Sequence, residues 1–213
     1  MPDKKATHIT FLLDRSGSMR GIKSDVEGGF NTFIDAQKET EGTCLVTLAQ
    51  FDTEYEKVYK NKPINDVPLL DLQPRGCTAL YDSMGKIITE TSAYLNSLPK
   101  KKRPASIICA IMTDGMENSS REWTSASIKK LVEEKTKEGW QFLYMGADQD
   151  AIEEAGKMGI IADNAMTYTR GNVEDAMRAT SMNVASYRGL VASGSALASV
   201  SYTAAQREEA VKL

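Results

Sequence analysis

The stretch His8-Ile9-Thr10-Phe11-Leu12-Leu13-Asp14-Arg15-Ser16-Gly17-Ser18 decides how the fold is read. Residues 8–13 form an almost continuous apolar run that stops at a carboxylate and a glycine-containing loop. A strand covered on both faces has this pattern, since neither face carries the polar alternation of a half-exposed strand. Polar side chains gathered just past such a strand lie where doubly wound sheets bind ligands.

Outward from that stretch, strands and helices alternate. Val26, Phe30, Phe33, Ile34 and Gln37 recur at helical spacing, and residues 43–51 make a second apolar strand. Asp52-Thr53 turns the chain into a third strand over Glu56–Tyr59, in hairpin with the second. A loop with Pro63, Pro68 and Pro74 reaches Gly76-Cys77-Thr78, and the helix face Leu80, Met84, Ile87, Ile88 and Leu95 is closed by Pro99. Residues 105–113 are the most apolar segment and end at Thr113-Asp114-Gly115. Ile128, Leu131 and Val132 mark a helix ended by Gly139, and Trp140–Met145 a fifth strand. Asp148 is expected to cap a short helix carrying Ala151, Ala155 and Met158, ahead of a sixth strand near Met166–Thr169. Asn172 with Asp175 resembles a capping box opening a helix through Val173, Met177, Val184 and Tyr187.

This alternation predicts an α/β fold, a doubly wound and mostly parallel sheet with helices on both faces. One domain is drawn over residues 1–189. Residues 190–213 form a tail rich in small side chains, expected to be flexible or loosely docked, with Thr203 and Gln206 capping a last turn.

Composition removes several function classes. The 213 residues carry 26 Lys and Arg against 29 Asp and Glu, a net charge of -3, so no basic field invites nucleic acid. The run Lys100–Arg103 has no interleaved aromatics and reads as a solvated loop. No apolar run approaches the roughly 20 residues of a membrane-spanning helix, and no secretory signal opens the chain. Cys44, Cys77 and Cys109 are odd in number and lack CxxC spacing, which predicts a reducing, cytoplasmic compartment. Cys44 and Cys109 sit in apolar strands and read as core, and Cys77 as an unreactive thiol. His8 is the sole histidine and reads as structural, so a His-rich metal site is excluded. Neither a GxSxG elbow nor a Walker loop is present.

Three loops at strand ends or helix entries carry the chemistry. They hold Asp14, Ser16 and Ser18 after the first strand, Thr78 before a helix, and Asp114 after the most apolar strand. All five groups are hard oxygen donors, suited to Mg²⁺, with Mn²⁺ or Ca²⁺ as alternatives, and the lack of nearby His and Cys disfavours zinc or copper. Two carboxylates roughly neutralise a divalent charge, and the hydroxyls add only dipoles. Taken singly, Asp14, Ser16, Ser18 and Asp114 each read as turn or helix caps; their co-occurrence is what points to a metal. Asp82 and Glu117 read as supporting or solvated groups.

Asp14-x-Ser16-x-Ser18, Thr78 and Asp114, in that order, resemble the metal-ion-dependent adhesion site (MIDAS) of von Willebrand factor A (VWA) domains. Met19, the run Thr78-x-Leu80-Tyr81-Asp82 and Thr113-Asp114-Gly115 fit as well, and the resemblance runs from about residue 7 to about residue 170. It implies a six-stranded Rossmann-like sheet whose hairpin strand is antiparallel at one edge. It also implies that Ser16, Ser18 and Thr78 offer hydroxyl oxygens to the metal, that Asp14 and Asp114 bind it directly or through water, and that an acidic side chain of a protein partner completes it.

The function expected is therefore a non-enzymatic, metal-dependent protein-binding module within an intracellular complex, recognising a partner that presents a carboxylate, with no nucleic-acid or membrane partner. Arg15, Met19, Arg20 and the Tyr81 loop are expected to line the recognition surface. Two alternatives stand beside it. One is a Mg²⁺-dependent phosphatase-type hydrolase with Asp14 as nucleophile, although Ser16 stands where the haloacid-dehalogenase-like pattern wants a second acid. The other is a scaffold whose metal site is purely structural.

Overall fold

Alternate side chains of β1 (Asp3–Asp14) feed two separate cores, which fixes the strand in the middle of a three-layer structure. Ile9, Phe11 and Leu13 point to one layer, where Phe11 meets Phe30 and Phe33 edge-on at centroid distances of 5.1 and 5.6 Å. Leu12 points to the other. The computed structural model describes residues 1–195 and 199–212.

Five further strands join β1: β2 (Thr43–Phe51), β3 (Tyr55–Pro63), β4 (Pro104–Thr113), β5 (Gln141–Ala147) and β6 (Ala165–Tyr168). The sheet order is β3-β2-β1-β4-β5-β6, and every neighbouring pair is parallel except β2 with β3 at the edge. Helices α1 (Lys23–Lys38) and α5 (Val173–Ser193) cover one face. Helices α2 (Leu80–Ser97), α3 (Ser125–Lys137) and α4 (Ala151–Lys157) cover the other. The buried residues of α1 are Val26, Gly29, Phe30, Phe33, Ile34 and Gln37, one stripe at helical spacing. The chain leaves β1 toward β2 and later returns to β4 on its opposite side. Strand order therefore reverses between the ends of β1 and β4, and a crevice opens there.

Two capping expectations are corrected. The N-cap of α4 is Asp150, whose side chain accepts the Glu153 N–H, whereas Asp148 has a left-handed φ of 49° and lies outside the helix. At α5, Asn172 occupies the cap position without a side-chain cap bond, and its amide donates away from the helix to the Lys212 carbonyl at 2.5 Å.

Helix α5 runs through residue 190, so the division drawn after residue 189 falls inside it. Beyond it Val200, Tyr202 and Ala210 are buried, and Tyr202 Oη lies 2.8 Å from Thr180 Oγ1 on α5. Thr203 and Gln206 form a capping box that opens α6 (Ala204–Ala210). Arg207 then donates to the Ala162 and Ala165 carbonyls beside β6. Small side chains hid this docking because it rests on a few large anchors and not on a periodic stripe. Residues 196–198 and 213 of the tail lie outside the described residues. Among the described residues no helix is long and apolar enough to cross a membrane.

Candidate metal centre

Asp14 is the last residue of β1, and its carboxylate knots two strand ends together. Oδ1 accepts the Ser16 N–H at 2.6 Å, and Oδ2 accepts the Thr113 hydroxyl at 2.6 Å from the end of β4. The Asx turn that could have been the whole role of Asp14 is thus present, but one of its oxygens also reaches across the crevice. Ser16 Oγ lies 3.0 Å from Ser18 Oγ, and Ser18 Oγ donates to Asp114 Oδ1 at 2.5 Å. Thr78 enters from the α2 side, where Asn118 holds it by both backbone groups: Thr78 N–H donates to Asn118 Oδ1 at 2.9 Å and Asn118 N–H to the Thr78 carbonyl at 3.0 Å. A Cβ on Gly115 would stand 3.1 Å from Thr78 Oγ1 and 3.8 Å from Ser18 Oγ, so the glycine keeps the space beside these hydroxyls open. All five residues singled out in the sequence meet at this edge. Ser18 is exposed at the mouth, and Asp14, Ser16, Thr78 and Asp114 are buried.

The neighbouring loops are held by charge. Arg15 N–H donates to the Phe51 carbonyl, and the Arg15 carbonyl accepts from Arg75 N–H. The Arg15 guanidinium turns inward, with Nε 2.8 Å from Asp52 Oδ2 and Nη1 paired to Glu56. Arg75 Nε reaches the same Asp52 oxygen at 3.0 Å. Arg15 and Met19 are therefore buried and cannot line a recognition surface; Arg20, Cys77 and Met116 are exposed around the centre. Asp82 and Glu117 organise the loop after β4. Asp82 accepts the N–H groups of Arg121, Glu122 and Trp123, and Glu117 those of Ser119, Ser120 and Tyr81. The Trp123 ring presses so close to α2 that a Cβ on Gly85 would sit 2.2 Å from it, which is why a glycine is tolerated within that helix.

Burial pushes the Asp14 carboxyl up to about 6; the Thr113 and Ser16 hydrogen bonds oppose this, and the Asp114 charge adds to it. Burial also raises Asp114. Arg170, just after β6, brings Nη2 to 3.0 Å from Asp114 Oδ2, but the approach is not that of an aligned hydrogen bond, and that buried oxygen is left without one. The sole imidazole, His8, is six residues back along β1, about 20 Å away at the rise of a strand. Among the described residues no three His, Cys, Asp or Glu side chains cluster as a metal site, so a centre here has to draw on hydroxyls.

No family model and no curated protein matches the chain by sequence. Solved structures do match. Proximal thread matrix protein 1 from the mussel byssus, with a zinc-occupied MIDAS motif, is 16% identical at a TM-score of 0.59, over 87% of this chain and 47% of its own. A von Willebrand factor type A protein from Catenulispora acidiphila is 14% identical at a TM-score of 0.54, over 85% and 43%. The chain has the von Willebrand factor A fold. The vWF domain of a type V pili tip protein from Porphyromonas gingivalis is similar over nearly its whole length, with 84% of this chain and 95% of that one superposed at a TM-score of 0.60 and 11% identity. Against the first two the chain spans less than half of the neighbour's length.

The six-stranded sheet with one antiparallel edge strand is thus the VWA arrangement, and the crevice where Asp14 and Asp114 meet lies at the ends of its two central strands, β1 and β4. The sequence reading gives Asn118 and Arg170 no role at this centre, Asp52 only a turn and Asp148 only a helix cap. Asn118 is the last residue of the Thr113–Asn118 loop, where an asparagine reads as an ordinary loop residue. Nothing in a lone arginine after a short strand distinguishes Arg170 from any solvated one.

Proposed function

We propose that this VWA-fold domain binds a protein partner through a divalent cation held by Asp14, Ser16, Ser18, Thr78 and Asp114. The observation that carries the reading is the hydroxyl–carboxylate chain Ser16–Ser18–Asp114, which passes the exposed mouth at Ser18 and leads to a buried Asp114 oxygen that has no aligned hydrogen bond and is met only by the part-exposed Arg170 guanidinium at 3.0 Å. Buried carboxylate acceptors left short of donors are destabilising unless a cation answers them. When bound, the cation supplies positive charge and a Lewis-acidic face open to one further oxygen ligand. Asp14 and Asp114 offset its charge, the three hydroxyls add dipoles only, and exposed Ser18 marks the side from which a partner's carboxylate enters. Hard oxygen donors favour Mg²⁺, with Mn²⁺ or Ca²⁺ as alternatives; the zinc in the byssus protein is a reminder that such sites take more than one ion. Three unpaired cysteines, one of them exposed, support a reducing, cytoplasmic setting.

The hydrolase alternative draws no support from the geometry, since the position where it wants a second acid is Ser16, whose hydroxyl lies 3.0 Å from Ser18 Oγ. The decisive experiment is paired. Titration calorimetry with MnCl₂ is expected to show binding by the wild type and a loss of more than about a hundredfold in Asp14→Asn, with the circular dichroism spectrum unchanged. Affinity capture of partners in Mg²⁺ is expected to be abolished both by EDTA and by the same substitution; capture that persists undiminished in EDTA would sink the proposal.

A further inference from the structure

Asp114 already has a cation beside it, and that cation belongs to the protein. The Arg170 guanidinium spans two carboxylates, with Nη2 3.0 Å from Asp114 Oδ2 and Nε 3.1 Å from Asp148 Oδ2. The Asp114 side chain is fully buried, whereas that of Arg170 is 43% exposed, so the arginine closes on the carboxylate from the solvent side. It approaches the very oxygen that lacks an aligned hydrogen bond. A divalent cation drawn to Asp114 and a guanidinium resting on it compete for the same negative charge and repel each other at close range.

The surroundings of Arg170 allow the side chain to move while its backbone stays in place. Thr169 N–H donates to the Ala210 carbonyl at 2.9 Å, Asn172 N–H to the Thr169 carbonyl at 2.8 Å, and the Asn172 amide to the Lys212 carbonyl at 2.5 Å. The docked C-terminal segment thereby pins the turn on both sides of Arg170. Asp148 offers a second resting place. Its backbone is fixed by donation to the Tyr168 carbonyl at 2.9 Å, and its side chain is half exposed. A guanidinium, with several donors on a planar fork, can give up one carboxylate and keep the other.

We propose that Arg170 is an intramolecular latch on the metal centre, paired with Asp114 when no cation is present and drawn back to Asp148 when a divalent cation takes Asp114. The inference rests on the metal-binding reading above. Its consequence is a threshold: the cation concentration at which the domain becomes competent is set partly by an internal competitor, because affinity is reduced by the fraction of molecules in which the site is open.

The test uses the full chain and MnCl₂ as the probe, in titration calorimetry on wild type, Arg170→Gln and Arg170→Lys, with melting curves to verify folding. A latch closed nine-tenths of the time predicts Mn²⁺ binding about tenfold tighter in Arg170→Gln. Arg170→Lys, which keeps the charge but loses the fork, is expected to fall between the two. Binding by Arg170→Gln where the wild type shows none in the same range would also support the latch, as one closed more firmly. Wild-type binding that Arg170→Gln does not exceed overturns the latch and leaves the metal reading standing. Tighter binding in Arg170→Gln with Arg170→Lys equal to wild type overturns it in favour of charge acting through space. Absence of Mn²⁺ binding in all three overturns the latch and the metal reading together.

Discussion

His8 and Asp14 lie six residues apart on β1, both polar and both buried, with 1% and 0% of their surfaces exposed, and their surroundings treat them in opposite ways. The groups that hydrogen-bond to His8 are all neutral. Its Nε2 lies 3.0 Å from Asn61 Oδ1 and its Nδ1 3.3 Å from Thr10 Oγ1; Thr47 Oγ1 accepts the Asn61 N–H at 3.0 Å, and Thr91 closes the set from α2. Burial pushes the imidazole down to about 4, against the Asn61 hydrogen bond, so it is uncharged near neutral pH. Around Asp14 the donors Ser16 and Thr113 are neutral too, but a second carboxylate, Asp114, stands close by, and one oxygen of that second group has no aligned donor. The difference separates architecture from a binding site. A buried neutral network that closes on itself asks for nothing further, whereas buried charge with a spare acceptor is stabilised only by a cation from outside or, as with Arg170, from within.

The largest expected effect breaks the neutral end. His8→Ala removes a ring packed against Tyr94 at 5.8 Å and leaves Asn61 and Thr10 short of a partner. Cavity and lost hydrogen bonds together predict a stability loss of about 3 kcal/mol in urea unfolding. Mn²⁺ affinity is expected to be unchanged. A loss below about 1 kcal/mol, or a shifted Mn²⁺ affinity, would erase the contrast between the two ends.

A second test sets the two ends against each other through pH, in metal-free protein. The His8 pKa is depressed on folding, from 6.5 to about 4, so its contribution is complete above 6.5 and is lost as pH falls toward 4. The Asp14 pKa is raised, from 3.8 to about 6, so its contribution is complete below 3.8 and is lost as pH rises toward 6. At pH 5 the slopes are opposite, each at most about 1.4 kcal/mol per pH unit, and they largely cancel in the wild type. Asp14→Asn is expected to expose the His8 slope, with stability rising from pH 4 to 6. His8→Gln is expected to expose the reverse. Parallel pH profiles for the two variants, from chemical unfolding at several pH values, would refute the opposed burial of these groups.

The fold was legible where periodicity reports burial. Apolar runs ending at Asp14 and Asp114 located the two central strands, and the stripe from Val26 to Gln37 located α1. The five oxygen donors were legible because they co-occur, in the order of a known motif, at three strand ends or helix entries, although each alone reads as a cap. Orientation was not legible. Arg15 sits inside the motif, but only the tertiary placement of Asp52 and Glu56 decides that its guanidinium turns inward. The same holds for Asp148 and Asp150, which are equivalent as capping residues until the left-handed φ of Asp148 removes it from the helix. Asn172 was read locally, and its amide is claimed by carbonyls some forty positions away. For Arg15 and Asn172 the deciding partner is distant in sequence, where pattern has no reach; for Asp148 and Asp150 it is a backbone conformation that side-chain identity does not fix.

Thr113 offers the smallest and sharpest test, because it belongs to the charged end without being one of its five oxygen donors. Its hydroxyl lies 2.6 Å from Asp14 Oδ2 and 2.9 Å from the Gly115 carbonyl, and it accepts the Gly115 N–H at 3.1 Å. Thr113→Val keeps the shape and removes this junction, leaving Asp14 held by Ser16 alone and without the hydrogen bond that holds its pKa down. A stability loss of about 1 kcal/mol is expected, since the net worth of one such bond is modest. Mn²⁺ affinity is expected to fall about tenfold, the usual consequence of releasing a group that orients a metal ligand. An affinity loss as large as that of Asp14→Asn would make Thr113 itself a donor, and no loss at all would mean that Asp14 is aimed by its own turn with Ser16 and owes nothing to β4.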